Sequence, residues 1–402
     1  MIRRLRAFAT RHAGLGPYLQ APGDGRVAPV VPASAILWAV LAAYVLRDGA
    51  FHAVEALVRS PARRVLGIRR PFGDDTVAYF TERLDVGVTR TALGTVVRQA
   101  KRRKGFDDVV RIGLVLDGST VGRCPTGRCP WCHPVVGPHL TAAGDRGPIG
   151  TVVGQQHKLA LLSVVGGALL LPVDVEPYGP GDSEHAASLR LLDRGVTTLG
   201  RRFAQYVVAD GLYASAPFLQ AVGRYGLHAL VRLKANVPTL YAAAEARFAA
   251  TPAHGTFERD GDRVEVWDAD DFAPWDGLPW PTVRVLRYRQ THPDGTVVEA
   301  SWLTDFATGR VSSRTLYQLA KGRWTIENQG FNDAKSRYGL DHVPHHDANS
   351  LLLHWLLVAL TLTLERLFRV RYLHRGAHPP LSAMQLLRRF RLALGAPLPD
   401  SS

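Results

Sequence analysis

Two aspartates stand where a β-sheet would expose them for chemistry. Asp117 follows the apolar run Val109–Leu116, Asp210 follows the apolar run Gln205–Ala209, and a glycine comes directly after each acid. A strand pattern that ends in an acid predicts a carboxylate at the rim of an α/β sheet, where the sites of such sheets commonly lie. For either residue alone, an Asp-Gly turn after a strand is the plainer interpretation.

Glu327 is the third acid that could take part in the same chemistry. It lies in the segment 321–335, with the sequence KGRWTIENQGFNDAK. On a helix, Arg323, Glu327 and Phe331 would share one face, with Lys335 one turn further. The apolar residues beside Glu327 predict a buried setting, in which a lone carboxylate is costly unless it is paired or bound to a metal. A surface Arg323–Glu327 ion pair is the alternative interpretation.

Oxygen donors at all three positions favour Mg²⁺ or Mn²⁺ over zinc, because these cations prefer oxygen ligands. Two such ions, about 4 Å apart, activate the attacking oxygen and stabilise the leaving oxygen in phosphoryl transfer. Arg323 and Lys335 would then contact a nucleic acid near the scissile phosphate. The three acids therefore predict metal-dependent chemistry on a phosphodiester.

The charge of the chain is segregated along its length. Residues 1–104 contain 18 Lys and Arg against 7 Asp and Glu, and residues 366–402 contain 7 against 1, while the middle is slightly acidic. Basic flanks around an acidic centre indicate a polyanionic partner such as DNA. Within the run Arg98–Lys104, Arg102 and Arg103 are candidate DNA contacts, and a solvated helix end is the alternative interpretation.

All three cysteines fall within the short sequence CPTGRCPWCH. Cys129 and Cys132 have the C-x₂-C spacing of zinc knuckles, with Cys124 upstream, but a tetrahedral structural zinc site needs a fourth ligand. The candidates for that ligand are His133, His139 and His157. Free thiols in a cytosolic loop and a redox pair are the alternatives.

Composition excludes several classes of protein. The chain has 402 residues, 46% of them hydrophobic and 21% charged, which is enough for two or three domains and argues against wholesale disorder. The longest apolar stretches, Ala33–Leu46 and Leu351–Leu364, fall short of the roughly 20 residues that span a bilayer. Three cysteines make no disulfide framework, and Met1–Arg11 is basic with no apolar run behind it. We therefore expect a soluble intracellular protein in which both apolar stretches are buried helices.

The elements that would position the acids can be placed along the chain. Strand and helix patterns over 105–235 run as three strands in hairpin style, then helix, strand, helix, strand, which predicts an α/β fold with a mixed sheet flanked by helices. The predicted division is a basic helical region over 1–104, a first catalytic part over 105–235, a β-rich insertion over 236–306, a second catalytic part with Glu327 over 307–372, and a basic tail over 373–402.

Three segments resemble the DDE (Asp-Asp-Glu) transposases of bacterial insertion sequences, most of all the insertion-sequence-four type. They are LVLDGST at Leu114–Thr120, YVVADGLYAS at Tyr206–Ser215 and GRWTIENQGFNDAKSRYGLDH at Gly322–His342. The similarity covers roughly residues 105–365, and the third segment is the specific one. The resemblance implies an RNase H-like catalytic domain with Asp117 and Asp210 on adjacent strands, Glu327 on a later helix, and a β-rich insertion before the Glu.

The same resemblance implies an activity and its partners. A protein of this kind binds the terminal inverted repeats of its own element, cuts there with two Mg²⁺ or Mn²⁺ ions held by the three acids, and joins the freed end to target DNA. It would work as at least a dimer on DNA, in the bacterial cytoplasm on the nucleoid. A catalytically inactive protein that binds the element ends, and a nuclease of the same fold without strand transfer, are the alternatives.

The family signature around the Glu is Tyr, two residues, Arg, three residues, Glu, six residues, Lys. Its Arg and Glu match at Arg323 and Glu327. Its Tyr position is Ala320, with Tyr317 three residues early, and its Lys position is Ala334, with Lys335 one residue late. The roles of Tyr317 and Lys335 therefore do not follow from the signature.

Overall fold

The computed structural model describes residues 1–124, 127, 129–137, 151–166, 169–374 and 381–395. Its described strands form one mixed sheet against which helices pack, as the fold class predicts. The core is a single continuous cluster of buried apolar side chains that extends from the N-terminal helices through the sheet to the C-terminal helices.

Seven helices precede the sheet. They are α1 (Ile2–Arg11), α2 (Gly16–Gln20), α3 (Ala33–Val45), α4 (Phe51–Arg59), α5 (Ala62–Leu66), α6 (Asp74–Thr81) and α7 (Val86–Arg102). The first predicted apolar stretch is confirmed as a buried helix, because α3 is buried from Ile36 to Val45. The side chain of Asp85 caps α7 by accepting hydrogen bonds from the N–H groups of Gly87 and Val88.

The next described elements are six strands of the sheet and two α-helices. They are β1 (Gly113–Cys124), β2 (His133–Gly137), β3 (Thr151–Gly166), β4 (Leu169–Pro177), α8 (Glu184–Leu199), β5 (Tyr206–Ala209) and α9 (Ala216–Arg224), followed by β6 (His228–Leu233). β1, β3 and β4 form antiparallel pairs, whereas β5 runs parallel to β1, and β6 runs parallel to β5. Four described strands, rather than the predicted three, precede α8, because the predicted loop after β1 contributes β2; the order helix, strand, helix, strand that follows is as predicted.

The length of β1 also differs from its prediction. β1 does not stop at Leu116 but continues to Cys124, because β3 supplies antiparallel partners along that whole length. Asp117 therefore lies within β1, paired with Leu161, rather than at its end. Asp-Gly-Ser is unfavourable in a strand, so the sequence predicts that the strand ends before it. Pairing with β3 nevertheless continues β1 through these residues.

Residues 236–306, for which the sequence predicts a β-rich insertion, extend the same sheet. They contain α10 (Pro238–Ala249), β7 (Gly255–Arg259), β8 (Asp262–Phe272), β9 (Val283–Thr291) and β10 (Val297–Thr304). β10 pairs antiparallel with β6, and β9, β8 and β7 follow outward. β10 thereby covers the backbone edge that β6 would otherwise expose.

The helix that carries Glu327 is interrupted. α11 (Ser313–Thr325) runs into a π-helical turn at Ile326–Asn332, and α12 (Asp333–Tyr338) follows without a break. Arg366 donates hydrogen bonds to the carbonyl oxygen of Gln329 in this turn and, at 2.8 Å, to Asp333 Oδ2. The carbonyl oxygen of Gln329, in this irregular turn, thus accepts a hydrogen bond from a buried charged side chain.

The last long helix lies in the core. α13 (Ala348–Arg366) continues into a second π-helical turn at Leu367–Leu373, and α14 (Ala383–Leu394) follows. Residues Ala348–Leu373 are long and apolar enough to cross a membrane by length and composition, but 94% of their most apolar window is buried inside the protein. The second apolar stretch is therefore also confirmed as a buried helix.

Candidate active site

Asp117 and Asp210 are neighbours across the two strands that the sequence singled out. In the parallel pair of β1 and β5, Val115 is opposite Val208. Asp117 and Asp210 are each two residues further along. β5 ends at Ala209, so both carboxylates lie just past the point where the parallel pairing stops. The expected adjacent-strand placement of the first two acids is present.

Glu327 approaches from the helical side, in the π-helical turn that contacts β1, β3 and β4. The predicted buried setting is wrong for its side chain, which is 45% exposed. Ile326 takes the buried position instead, because the turn points neighbouring residues in different directions. A half-exposed carboxylate beside the sheet remains accessible to ions and to a substrate.

Arg323 connects the acids. Its guanidinium donates a hydrogen bond to Glu327 and lies 3.4 Å from Asp117 Oδ2, while its side chain is only 11% exposed. The Arg323–Glu327 contact is therefore more than a surface pair. We define the acid site as Asp117, Asp210, Glu327 and this bridging arginine.

The ionised form of Asp117 is disfavoured by its surroundings. Burial raises its pKa to about 7, Arg323 acts in the opposite direction, and the carboxylates of Glu184 and Glu327 raise it further. The cause is desolvation combined with like charge, both of which disfavour the ionised carboxylate. A bound cation would relieve both effects.

Asp210 behaves differently although it lies beside Asp117. Burial alone would raise its pKa, but Lys234 Nζ donates a hydrogen bond to Asp210 Oδ2 at 2.9 Å and the backbone N–H of Gly211 adds another, so the pKa lies below its ordinary value. The acid site thus combines one readily ionised carboxylate with one that needs a cation nearby.

Glu184 is a fourth carboxylate at this site, and the sequence analysis did not single it out. It is the first residue of α8, capped by Ser183. It accepts a hydrogen bond at 2.9 Å from Tyr213 Oη, which also lies 2.8 Å from Ser188 Oγ. A Cβ on Gly118 would come within 2.1 Å of the Glu184 carboxyl group. The signal available in the sequence was Gly118 itself, next to the first acid.

Lys335 reaches β1 in spite of its shifted position in the sequence. Its Nζ donates hydrogen bonds to Ser119 Oγ at 2.8 Å and to the carbonyl oxygen of Thr120 at 2.6 Å. A π-helical turn takes up more residues than an α-helical turn, so the turn at Ile326–Asn332 absorbs the one residue by which Lys335 departs from the signature. Ala334, at the signature position, is buried.

Three other candidate residues lie away from the acids. Tyr317 is buried and donates a hydrogen bond to Gln290 Oε1 in the insertion at 3.1 Å. Arg102 lines a surface depression with Arg201 and Arg202. Arg103 contacts His12 and the carbonyl oxygen of Arg11. Lys101, next to Arg102, donates a hydrogen bond to the carbonyl oxygen of Phe203. Phe203 precedes β5 and Asp210 follows it, so this basic region and Asp210 lie at opposite ends of β5.

The cysteines converge with one of the predicted histidines. Cys129 Sγ lies 3.1 Å and Cys132 Sγ 3.4 Å from His157 Nε2, and the ligand atoms of Cys124, Cys132 and His157 all lie within 4.8 Å of one another. Burial raises the pKa of the Cys129 thiol to about 12 and lowers that of His157 to about 4. We call these four residues the cysteine cluster.

Of the other two candidate histidines, one bonds elsewhere and one lies outside the described residues. His133 Nε2 donates a hydrogen bond to the carbonyl oxygen of Tyr178 at 2.7 Å. His139 lies outside the described residues. Within the described part of the chain, His157 is therefore the histidine that meets the cysteines.

The acid site fits a divalent cation of the Mg²⁺ or Mn²⁺ type. Its acidic donors are carboxylate oxygens, which these hard cations prefer. Burial and the nearby carboxylates of Glu184 and Glu327 disfavour the ionised form of Asp117, and the bridging Arg323 partly offsets them. Asp117, Asp210 and Glu327 could therefore hold such ions.

A protein-family comparison covers this part of the chain. The family model described as transposase DDE domain matches residues 110–364, a range that contains all three acids. No curated protein matches the chain. Among solved structures, a cryo-EM structure of a piggyBac transposase synaptic complex with hairpin DNA is similar at 12% sequence identity and a TM-score of 0.45. That similarity covers 90% of this chain and 71% of the other.

Proposed function

Because the chain belongs to the transposase DDE domain family, we propose that it cuts DNA at the terminal inverted repeats of its own element and joins the freed ends to target DNA. Both steps would depend on Mg²⁺ or Mn²⁺. The observation that carries the proposal is that Asp117 lies beside Asp210 across paired strands and is bridged to Glu327 by Arg323. We expect the protein to act on the bacterial nucleoid.

In the proposed reaction, a water oxygen attacks the phosphorus at the element boundary and the bond from phosphorus to the 3′ oxygen breaks, which leaves a 3′-OH. That hydroxyl oxygen then attacks a phosphorus of the target, and a second 3′ oxygen leaves. Asp117, Asp210 and Glu327 would hold two divalent ions. When bound, these ions would activate the attacking oxygen and stabilise the leaving one.

The surrounding side chains position the acids and the substrate. Tyr213, Ser188 and Gly118 fix the carboxylate of Glu184 beside Asp117. Lys234 keeps Asp210 ionised through its hydrogen bond. Arg323 holds Asp117 near Glu327 and is close enough to both to bind an oxygen of the scissile phosphate. Lys335 of α12, which contacts Ser119 and Thr120 of β1, would bind the next phosphate along the strand.

DNA binding outside the acid site is proposed for the basic flanks. Arg102 lies with Arg98, Lys101, Arg201 and Arg202 around one surface depression, which makes a local concentration of positive charge. This basic region lies at the opposite end of β5 from Asp210. It would therefore contact DNA at a distance from the cut, while Arg323 and Lys335 contact it at the cut. Since two element ends are cut together, we expect at least a dimer on DNA.

The test is a cleavage assay with the purified chain on DNA that carries the inverted repeats flanking its gene. Wild type, Glu327→Gln and Glu258→Gln would be compared in Mg²⁺, Mn²⁺ and EDTA. Glu258 is an exposed glutamate on β7 and serves as the matched control. We expect metal-dependent nicking at the repeat boundary in wild type and Glu258→Gln, and none in Glu327→Gln.

Two other results would overturn the proposal in different ways. Binding to the ends without cutting in any metal would indicate an inactive end-binding protein. Cutting that never yields joined products, even with target DNA present, would indicate a nuclease of the same fold. Full activity of Glu327→Gln would instead show that the third acid is misassigned.

A further inference from the structure

The cysteine cluster is a second group of metal-ligating side chains, separate from the acid site. It draws its residues from three places in the chain: Cys124 ends β1, Cys129 and Cys132 belong to the loop before β2, and His157 lies within β3. All three cysteines are free thiols. Strand pairing brings these segments together, since Arg123 is opposite Gln156 and His133 is also opposite Gln156.

The distances within the cluster suit a tetrahedral zinc ion. With bond lengths of about 2.3 Å to sulfur and 2.0–2.1 Å to nitrogen, ligand atoms around zinc stand about 3.5–3.8 Å apart. Cys129 Sγ and Cys132 Sγ are 3.3 Å apart, and their distances to His157 Nε2 are 3.1 and 3.4 Å. These three separations are within about half an ångström of the tetrahedral values, and the ligand atoms of Cys124, Cys132 and His157 lie within 4.8 Å of one another.

Burial distinguishes this group from a chance meeting of side chains. His157 has no exposed surface, and Cys124 and Cys129 are 6% and 9% exposed. Cys132 is only partly buried, which leaves a side from which an ion can enter. A redox pair would need only Cys129 and Cys132, whereas the structure adds a third thiol and an imidazole nitrogen directed at both sulfurs.

We propose that Cys124, Cys129, Cys132 and His157 bind one structural Zn²⁺ through three thiolates and the Nε2 atom of the imidazole. Binding releases the thiol protons to solvent. Protein atoms would fill all four positions, so this zinc would have no open position for a substrate and would act on folding rather than on chemistry. The proposal is independent of the proposed transposition reaction.

Contacts around the cluster indicate what the zinc would stabilise. Trp131, between the two loop cysteines, packs against Trp355 of α13, and the same Trp355 contacts the ring of His157. Pro130 packs so closely on Gly179 that a Cβ there would lie 2.3 Å from the Pro130 carbonyl oxygen. The zinc would therefore fasten the loop before β2 both to α13 and to the turn that leads into α8.

The test measures metal content and thermal stability of the full chain, and it involves no DNA. We expect about one zinc per chain in wild type. Cys129→Ser and His157→Gln should lose most of it. His133→Gln is the matched control, because His133 lies next to Cys132 in sequence but bonds to Tyr178, and this variant should keep its zinc. Replacement of zinc by Co²⁺ should give the visible absorption bands of tetrahedral cobalt thiolate.

Wild-type protein alone also tests the proposal, in case the variants do not fold. EDTA should lower its Tm, and stoichiometric ZnCl₂ should restore the Tm where MgCl₂ does not. Three results would overturn the proposal: no zinc bound after incubation with ZnCl₂, equal zinc in His157→Gln and wild type, or a native chain two hydrogen atoms lighter because Cys129 and Cys132 form a disulfide.

Discussion

The acid site and the cysteine cluster share one strand, yet they differ in nearly every physical property. Asp117 and Cys124 both belong to β1. Around Asp117 the donors are carboxylate oxygens, Glu327 is half exposed, and the cationic side chains of Arg323 and Lys335 lie close by. Around Cys124 the donors are sulfur and nitrogen atoms, which are largely buried.

That difference separates two uses of a metal. Oxygen donors bind Mg²⁺ or Mn²⁺ weakly and leave positions for substrate oxygens, which suits chemistry on a phosphodiester. A closed set of thiolates and an imidazole holds zinc tightly and leaves none, which suits structure. Thus one strand would carry a replaceable catalytic metal near its middle and a permanent structural metal at its end.

The largest effect is expected when one ligand of each site is removed. Asp117→Asn should lower the cleavage rate by about 10³-fold or more, as loss of an essential group does in other enzymes. It should leave zinc content and Tm unchanged, since a neutral amide is less costly to bury than a carboxylate. Cys129→Ser should lower zinc content and Tm and lose far less of the cleavage rate. Cleavage assays, metal analysis and thermal melts of both variants measure this contrast.

The comparison fails if the two variants behave alike. Loss of zinc in Asp117→Asn would mean that the sites form one cooperative unit. Loss of cleavage in Cys129→Ser at a temperature where it is fully folded would mean that the cluster takes part in chemistry.

A smaller loss should follow from displacing Glu184 without touching an acid of the triad. Gly118→Ala places a Cβ 2.1 Å from the Glu184 carboxyl group, so that carboxylate or the strand must shift. Misplacement of about 1 Å at a reacting centre costs on the order of 10²-fold in rate, and we expect that loss of cleavage. Gly137→Ala on β2 is the control, since its nearest neighbour would be 3.6 Å away. Equal rates in the two variants would remove Glu184 from the site.

The positions of the acids could be predicted from sequence because their cues are local. An apolar run before Asp117 and before Asp210 predicts strands, and parallel strands bring their following residues to one edge. The length of β1 could not be predicted, because it depends on β3, a partner about 40 residues away. The Asp-Gly sequence at Asp117 favours a turn, but the backbone hydrogen bonds between β1 and β3 outweigh this preference.

Residues fixed by distant partners were harder to find. His157 became distinct from His133 only once β1, β2 and β3 were paired. Glu184 is separated in sequence from Asp117 by β2, β3 and β4, and its packing against Gly118 depends on how these strands fold. The contact of Lys335 with Ser119 depends on the π-helical turn, whose stabilising partner Arg366 lies more than 30 residues away. Pattern reasoning along one segment has no access to such contacts.

Acid should weaken the helix that supports both sites. His354 of α13 accepts a hydrogen bond from Tyr44 and donates one to the carbonyl oxygen of Gly339 at 3.0 Å, and burial lowers its pKa to about 3. Unfolded histidine has a pKa near 6.5, so the stability from neutral His354 is complete above that pH and is lost as pH falls towards 3. Between pH 7 and pH 5 the loss should be about 2 kcal/mol.

Urea unfolding at several pH values measures this loss. His354→Gln should show a shallower fall in unfolding free energy between pH 7 and pH 5, whereas a variant of the exposed His52 on α4 should match wild type. If the unfolding free energy of His354→Gln falls as much between pH 7 and pH 5 as that of wild type, another group is responsible for the loss of stability in acid. Zinc content measured in the same series shows whether the cysteine cluster fails with α13 or before it.

The smallest effect is expected from the cations that flank the acid site. Lys335→Ala removes one positive charge beside Ser119, so the slope of log affinity for the element ends against log salt concentration should fall by about 1. Arg102→Ala, in the basic region at the other end of β5, should reduce the slope by a similar amount. Only Lys335→Ala should also slow cleavage at saturating DNA, because only that phosphate lies next to the cut. If both variants slow the saturated reaction equally, Lys335 does not contact the phosphate at the cut.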